Sequence, residues 1–115
     1  MWWREVGLIN KYEVRAEVLK AVAHPARLKI IDTLTESGPK CVSELTEMLD
    51  LSQPTVSGHL AVLRSAGIVA NEKQGLQVVY HIRTPCIARL FGCLDAFLQE
   101  DLQKRQEELK KELGE

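Results

Sequence analysis

The 115-residue sequence predicts an α+β fold that is mostly α: four helices, a β-hairpin and a fifth helix, in that order. Two observations carry this prediction. Apolar residues recur at helical spacing as far as residue 66, and the pattern then changes to a period of two over residues 76–83. Two short helices followed directly by a hairpin are the parts of a winged helix-turn-helix. The same element order also fits other small α+β folds.

The first three helices are predicted from apolar spacing and from the residues that interrupt it. Residues 12–23 form the first helix, and His24-Pro25 interrupts it. Pro25 suits the first turn of the second helix, which Ser37-Gly38-Pro39 ends. Residues 42–49 form a short third helix. The residues of the second helix expected to face the core are Leu28, Ile31 and Leu34.

The fourth helix is predicted from Gln53 to Ala66, with Ser52 as its cap and Gly67 as its stop signal. Its apolar stripe consists of Val56, Leu60 and Leu63.

A hairpin follows, and its turn is expected at Gln74-Gly75. This turn joins a strand over residues 68–73 to a second strand in which Leu76, Val78, Tyr80 and Ile82 alternate with other residues. Thr84-Pro85 is expected to cap and begin a long fifth helix.

The organisation along the chain is a leader over residues 1–11, one folded domain over 12–102 and a charged helical extension over 103–115. No apolar run reaches the roughly 18 residues of a membrane span, and the first residues lack the apolar region of a secretion signal. Three cysteines, an odd number, indicate free thiols rather than a disulfide framework. We therefore expect a cytoplasmic protein.

Charge is unevenly distributed, although the net formal charge is only −1. Residues 52–83 hold three basic residues against one acidic residue, whereas residues 84–115 hold five basic and seven acidic residues. A surface that contacts nucleic acid is therefore expected in the middle segment.

The fourth helix is the expected DNA-reading element, and its outer side carries small residues. Gly58 lowers helix stability by roughly 1 kcal/mol relative to Ala, and the close approach of a groove wall would explain it. His59 lies about 60° from the apolar stripe, so two interpretations remain for it, packing against the core and contact with a phosphate. Lys73, Gln77 and Arg83 of the hairpin are candidates for phosphate or minor-groove contacts. The DNA-binding candidates are Gln53, Thr55, Ser57, Gly58, His59, Arg64, Lys73, Gln77 and Arg83.

Four segments resemble the ArsR/SmtB family: Ala23 to Ile31, Cys41 to Leu45, Leu51 to Leu60 and Leu63 to Val69, within a match over residues 12–98. The resemblance implies a homodimer paired through the first and last helices. It also implies that the dimer represses from an operator, expected to be palindromic, and leaves it when a metal, metalloid or oxidant binds.

The cysteines are the candidates for sensing such an effector. Arsenic-sensing members of the family often carry Cys-Val-Cys-Asp-Leu, where this chain has Cys41-Val42-Ser43-Glu44-Leu45. Cys41 and Cys86 lie at predicted helix N-termini, which favour thiolates, and form the expected sensing pair. Cys93 shares a stripe with Leu90 and Phe97, so a small buried residue at the dimer contact is an alternative for it. The expected effector is arsenite, antimonite, another soft metal ion or a reactive sulfur species such as a persulfide, and no resident cofactor is required.

Two other functions remain as alternatives. The chain has no phosphate-binding glycine loop and no Gly-x-Ser-x-Gly motif, and its three histidines lie on separate elements, so an enzyme is not expected. The second alternative is a winged-helix regulator or protein-interaction module with structural cysteines and no metal effector. The isoelectric point of about 6.3 is the reason to consider an interaction module.

Overall fold

The computed structural model describes residues 10–114. Over these residues the elements are α1 (Lys11–Val22), α2 (Pro25–Ser37), β1 (Lys40–Cys41), α3 (Val42–Leu49), α4 (Gln53–Ser65), β2 (Val69–Gln74), β3 (Gln77–Ile82) and α5 (Ile87–Glu112). The predicted α+β class, mostly helical with an antiparallel hairpin, is confirmed. Most of the predicted leader, residues 1–9, lies outside the described residues.

The described chain divides into two compact units, residues 10–84 and residues 85–114. The first contains α1 to β3, and the second is α5 with the turn before it. None of the helices within residues 10–114 is both long and apolar enough to cross a membrane.

Side chains at the helix starts stabilise the helices of the first unit. Asn10 Oδ1 accepts the backbone N–H of Tyr12 at 2.8 Å, and Ser52 Oγ accepts that of Thr55 at 3.3 Å. The cap of α2 is an imidazole, because His24 Nδ1 accepts the N–H of Ala26 at 3.0 Å. Each of these caps satisfies one of the N–H groups that a helix leaves without an internal partner.

The core of the first unit is formed by apolar side chains from the end of α1, from α2, α3 and α4, and from the start of β2. Ile31 and Leu34 are buried as predicted, but Leu28 is only half-buried and Ile30 takes its place in the core. The predicted stripe of α4 is completely buried, with Val56, Leu60 and Leu63 all at 0 % exposure. The other buried apolar side chains of this unit are Ala21, Val22, Cys41, Leu45, Ile68 and Val69.

The sheet has three antiparallel strands in the order β1-β3-β2, so it exceeds the predicted hairpin by one strand. β1 pairs Lys40 with Tyr80 and Cys41 with Val79. A strand of two residues has no detectable periodicity in the sequence. It forms because β3, already paired to β2, offers its other edge to the chain entering α3.

The hairpin turn lies at Gly75-Leu76, one residue later than predicted. Gln74 remains paired with Gln77, and Gly75 adopts φ 64°, which suits the first central position of a two-residue turn. Leu76 therefore lies at the tip instead of in the strand, and it is fully exposed at 102 %.

The expected capping role of Thr84 is wrong. Its hydroxyl donates to the carbonyl oxygen of Gly67 at 3.0 Å, a contact inside the first unit. A short turn at Pro85 and Cys86 precedes α5, which begins at Ile87 with Cys86 at the cap position. The predicted C-terminal extension is helical as far as Glu112 and continuous with the rest of α5.

Gly67 ends α4 and leads directly into the hairpin. It adopts φ 81°, its N–H bonds the carbonyl of Arg64, and the N–H of Ile68 bonds the carbonyl of Leu63. This pair of bonds is a Schellman motif, in which a left-handed residue after the helix satisfies its last carbonyls. Because Ile68 and Leu63 are both buried, the end of α4 is fixed by packing as well as by hydrogen bonds.

Candidate nucleic-acid interface

The outer side of α4 is exposed because its opposite side is buried in the core. Gln53, Thr55, Ser57, Gly58 and Arg64 are all exposed, and we call these five residues the reading face. By helical period Gly58 lies opposite the buried stripe, Thr55 and Ser57 lie to its two sides, and Gln53 and Arg64 lie close to the edge of the stripe. The small or compact residues that share the side of Gly58 are also exposed, namely Pro54, Ala61 and Ser65. A flat polar helix surface of this kind can enter the major groove of DNA.

Gly58 has no structural role that the described residues reveal. It lies inside a regular helix without a positive φ, and a Cβ built on it meets nothing within 4 Å. Neither backbone conformation nor packing within the chain therefore requires glycine there, although glycine weakens the helix by roughly 1 kcal/mol relative to Ala. An external surface that approaches the helix closely is a physical reason for its presence.

The hairpin brings two of its three candidate residues together. Lys73 pairs with Val78 and Gln77 with Gln74, so both lie in the last two rows before the tip, and both are exposed. Arg83 follows β3 at the opposite end, where its N–H donates to the carbonyl of Ile68 at 2.9 Å. Lys73 and Gln77 therefore form one candidate contact surface, and Arg83 is separate from it.

His59 differs from the reading face because it is half-buried and its side chain has partners inside the chain. Its Nδ1 accepts a hydrogen bond from Arg27 Nε at 3.2 Å, and its ring centroid lies 4.5 Å from that of His24. Burial lowers the pKa of His59, and the charges of His24 and Arg27 lower it further.

Sequence reasoning did not list Arg27 as a functional residue. A signal was available, because Arg27 lies in the first turn of α2, which contains no acidic residue. A cation is unfavourable near the positive end of a helix dipole, so such an arginine requires partners elsewhere. The exposure of Leu76 at the hairpin tip was also not predicted, because it depends on the exact position of the turn.

The three cysteines are free and differ in environment. Cys41 is buried, its thiol donates to Glu44 Oε1 at 3.1 Å, and its backbone N–H donates to the same oxygen at 3.1 Å. Hydrogen bonds from the Cys41 side chain and backbone lower the pKa of Glu44. Cys86 and Cys93 are exposed within the second unit. Cys93, which was expected to be buried at the dimer contact, is therefore not buried by residues of its own chain.

The surroundings of Cys41 do not fit the predicted thiolate. Its sulfur lies 3.1 Å from Glu44 Oε1, and a carboxylate at this distance would repel a negatively charged sulfur. Within residues 10–114, no group of three or more His, Cys, Asp or Glu side chains is placed to hold a metal ion. A three-ligand metal site is thus not assembled within one described chain.

Helix α3, the turn at Asp50 to Ser52, helix α4 and the β2–β3 hairpin together define a winged helix-turn-helix protein. The profile of the family described as "Bacterial regulatory protein, arsR family" matches residues 24–71. An HTH-type transcriptional regulator of Methanocaldococcus jannaschii is 43% identical over 87 residues, covering 76% of this chain and 98% of that protein. The chain therefore belongs to the arsR family of bacterial regulatory proteins.

Two further comparisons agree with this assignment. The biofilm growth-associated repressor of Agrobacterium fabrum is 44% identical over 81 residues, covering 70% of this chain and 68% of that protein. The solution structure of the homodimeric winged helix-turn-helix DNA-binding domain of Mb0332 from Mycobacterium bovis superimposes with a TM-score of 0.72 at 30% identity, over 88% of this chain and 90% of that one. The predicted ArsR/SmtB membership is confirmed, and with it the prediction of a regulator that is not an enzyme.

Replacing Gly58 with Ala separates helix stability from DNA reading. We expect Gly58→Ala to raise the free energy of unfolding by about 1 kcal/mol, because the methyl group meets no atom of the chain. The same methyl group should weaken binding to the promoter-region DNA, because it occupies the surface that faces the groove. Urea unfolding and fluorescence anisotropy measure the two effects. Thr35→Ala, at an exposed position of α2, is the control and should leave DNA affinity unchanged. Unaltered affinity of Gly58→Ala would contradict the role assigned to this residue.

Proposed function

We propose that this protein is a dimeric transcriptional repressor that inserts α4 into successive major grooves of a palindromic operator. The observation that carries the proposal is the exposed reading face, with a mid-helix glycine that the rest of the described chain does not require. Lys73 and Gln77 at the hairpin tip are assigned to the flanking phosphates or minor groove. Membership in a family of bacterial regulators and similarity to a named repressor support this function.

The test of this proposal is the salt dependence of operator binding. Arg64 is exposed in the last turn of α4, where we assign it to a phosphate. Arg64→Ala should weaken all DNA sequences about equally and reduce the slope of log affinity against log salt by about 0.9 per lost contact. Gln53→Ala and Thr55→Ala should instead relax sequence preference. A wild-type protein without salt-dependent binding to its own promoter region would show that it is an interaction module rather than a repressor.

We further propose that the dimer forms through α1 and α5. Five apolar side chains of α5, Leu90, Leu94, Phe97, Leu98 and Leu102, are 44–62 % exposed within one chain. On α1, Tyr12 is 64 % and Leu19 53 % exposed. Exposed apolar surface of this extent favours association with a second protein surface. The homodimeric state of the Mycobacterium bovis domain supports a second copy as the partner.

A charge on the apolar side of α5 tests the dimer. Leu94→Glu should give a monomer in sedimentation equilibrium at micromolar concentration, and the monomer should lose operator affinity, because burying an unpaired carboxylate is strongly unfavourable. Gln103→Glu is the matched control. It lies nine residues further along, on the opposite side of the same helix, and should remain dimeric. A monomeric wild type under these conditions would refute the dimer proposal.

Release from the operator is proposed to follow reaction of Cys41 and Cys86 with a thiophilic effector, namely arsenite, antimonite, another soft metal ion or a persulfide. Cys86 is exposed, whereas Cys41 must give up its hydrogen bond to Glu44 before it reacts. That bond belongs to the capping arrangement of α3, and α3 precedes α4 in the helix-turn-helix. A reaction at Cys41 would therefore disturb the element that supports the reading helix.

Serine variants identify the responding thiols. Operator affinity of the wild type should fall by about 5- to 150-fold with effector, the range of a coupling of about 1–3 kcal/mol. Cys41→Ser and Cys86→Ser should abolish this response to arsenite or a persulfide donor, whereas Cys93→Ser should respond like the wild type. Serine is itself a good helix cap, so Cys41→Ser should preserve the fold. If only Cys93→Ser fails to respond, the assignment of the pair is wrong.

A further inference from the structure

Arg27 joins three helices through a single guanidinium group. It belongs to α2, its Nη1 donates to the carbonyl oxygen of Ala21 in α1 at 3.3 Å, and its Nε donates to His59 Nδ1 in α4 at 3.2 Å. The last four carbonyls of an α-helix have no partner within the helix. In α1, backbone N–H groups bond the carbonyls of Leu19, Lys20 and Val22. Arg27 bonds the fourth carbonyl, that of Ala21.

Both histidines of this cluster act as acceptors at Nδ1. His24 Nδ1 accepts the N–H of Ala26, and His59 Nδ1 accepts the Nε–H of Arg27. A neutral imidazole carries one proton, so a ring that accepts at Nδ1 carries that proton on Nε2. The bond from Arg27 exists only while the His59 ring is neutral, because a protonated ring would present an N–H to the donor from which it now accepts.

We propose that Arg27 and His59 are positioning residues for DNA recognition, whose contact fixes the rotation of α4 against α1 and α2. The proposal rests on the DNA-reading role of α4 proposed above. The buried stripe holds the helix in the core, but apolar packing is not directional. The hydrogen bond from Arg27 is directional, and it is made by the residue adjacent to Gly58 of the reading face.

A small rotation of α4 is sufficient to change DNA recognition. A helix with its side chains has a radius of about 5–6 Å, so a rotation of about 10° moves the outer side by about 1 Å. Hydrogen bonds to base edges span a range of only about 0.5 Å. Loss of the Arg27–His59 contact should therefore reduce specific binding more than binding to unrelated DNA.

The contact also gives operator binding a pH dependence of defined sign. The pKa of His59 in the folded protein is lower than its ordinary value of 6.5, first through burial and then through the charges of His24 and Arg27. The neutral ring therefore contributes stability above pH 6.5, and this contribution is lost as the pH falls from 6.5 through the lowered pKa. Ordinary DNA binding instead strengthens in acid, because the protein becomes more positive.

His24 and Arg27 are the ionisable groups in direct contact with the His59 side chain. The groove beside Arg27 is also lined by ionisable side chains of α1 and of the residue after β3. The further ionisable groups on elements around α4 are Lys11, Tyr12, Glu13, Arg15, Glu17 and Lys20 of α1, Lys29, Asp32 and Glu36 of α2, Glu44 and Glu47 of α3, Glu72 and Lys73 of β2, and Arg83.

The test measures the affinity of the full chain for its promoter region and for an unrelated duplex of equal length, at pH 7.5 and pH 5.8 and constant ionic strength. Wild-type affinity for the promoter region should fall measurably at the lower pH, by at most about fivefold because a single proton is taken up by a ring with a pKa below 6.5, while affinity for the unrelated duplex stays equal or rises. His59→Asn should bind like the wild type at pH 7.5 and lose the fall, because the amide oxygen can accept from Arg27 without titrating. Arg27→Met should show the reduced promoter affinity at both pH values.

Control variants distinguish this positioning role from protonation of another histidine and from a phosphate contact. His24→Asn retains a helix cap, and His81→Asn removes the histidine of the hairpin, and both should keep the fall in affinity. A fall that persists in His59→Asn, or wild-type promoter affinity of Arg27→Met, overturns the proposal. Equal weakening of both duplexes by Arg27→Met, with a reduced salt slope, would make Arg27 a phosphate contact instead. Absence of promoter binding at every pH refutes the repressor function itself, which distinguishes the two failures.

Discussion

The burial of Val56, Leu60 and Leu63 determines which residues α4 can present to another molecule. Each side chain contributes about 1.5–3 kcal/mol when it is removed from water, so rotating the helix to expose this stripe would be strongly unfavourable. The helical period then fixes the opposite side as the exposed one. The identity of the reading face is thus a consequence of core packing, and only its exact angle depends on polar contacts such as that of Arg27 with His59.

Local signals in the sequence were sufficient for the helices. Ser52, Gly67 and the spacing of the apolar residues predicted α4 within one residue, because caps and helical periodicity depend on neighbours in the chain. The features that the sequence could not predict depend on distant pairing. β1 exists because Cys41 meets Val79, and Thr84 caps no helix because its hydroxyl bonds Gly67, 17 residues away.

The residues of the candidate site also divide into those predicted from neighbouring residues and those that depend on distant contacts. Exposure of Gln53, Ser57 and Arg64 followed from the helical period, whereas the orientation of His59 depended on Arg27, 32 residues away in sequence. For Cys41, the helix N-terminus suggested a charged sulfur, but Glu44 three residues later has the spacing of a capping box. That spacing is visible in the sequence and outweighs the helix end, because the carboxylate is in direct contact with the thiol.

The Schellman motif at Gly67 joins α4 to β2 with almost no intervening chain, since the helix ends at Ser65 and the strand begins at Val69. Together with the bond from Thr84 to Gly67, it ties the end of α4 to both ends of the hairpin. The spacing between the reading face and the hairpin tip is then set by local backbone contacts. A signal that controls DNA occupancy would therefore move α4 and the hairpin together instead of changing the distance between them.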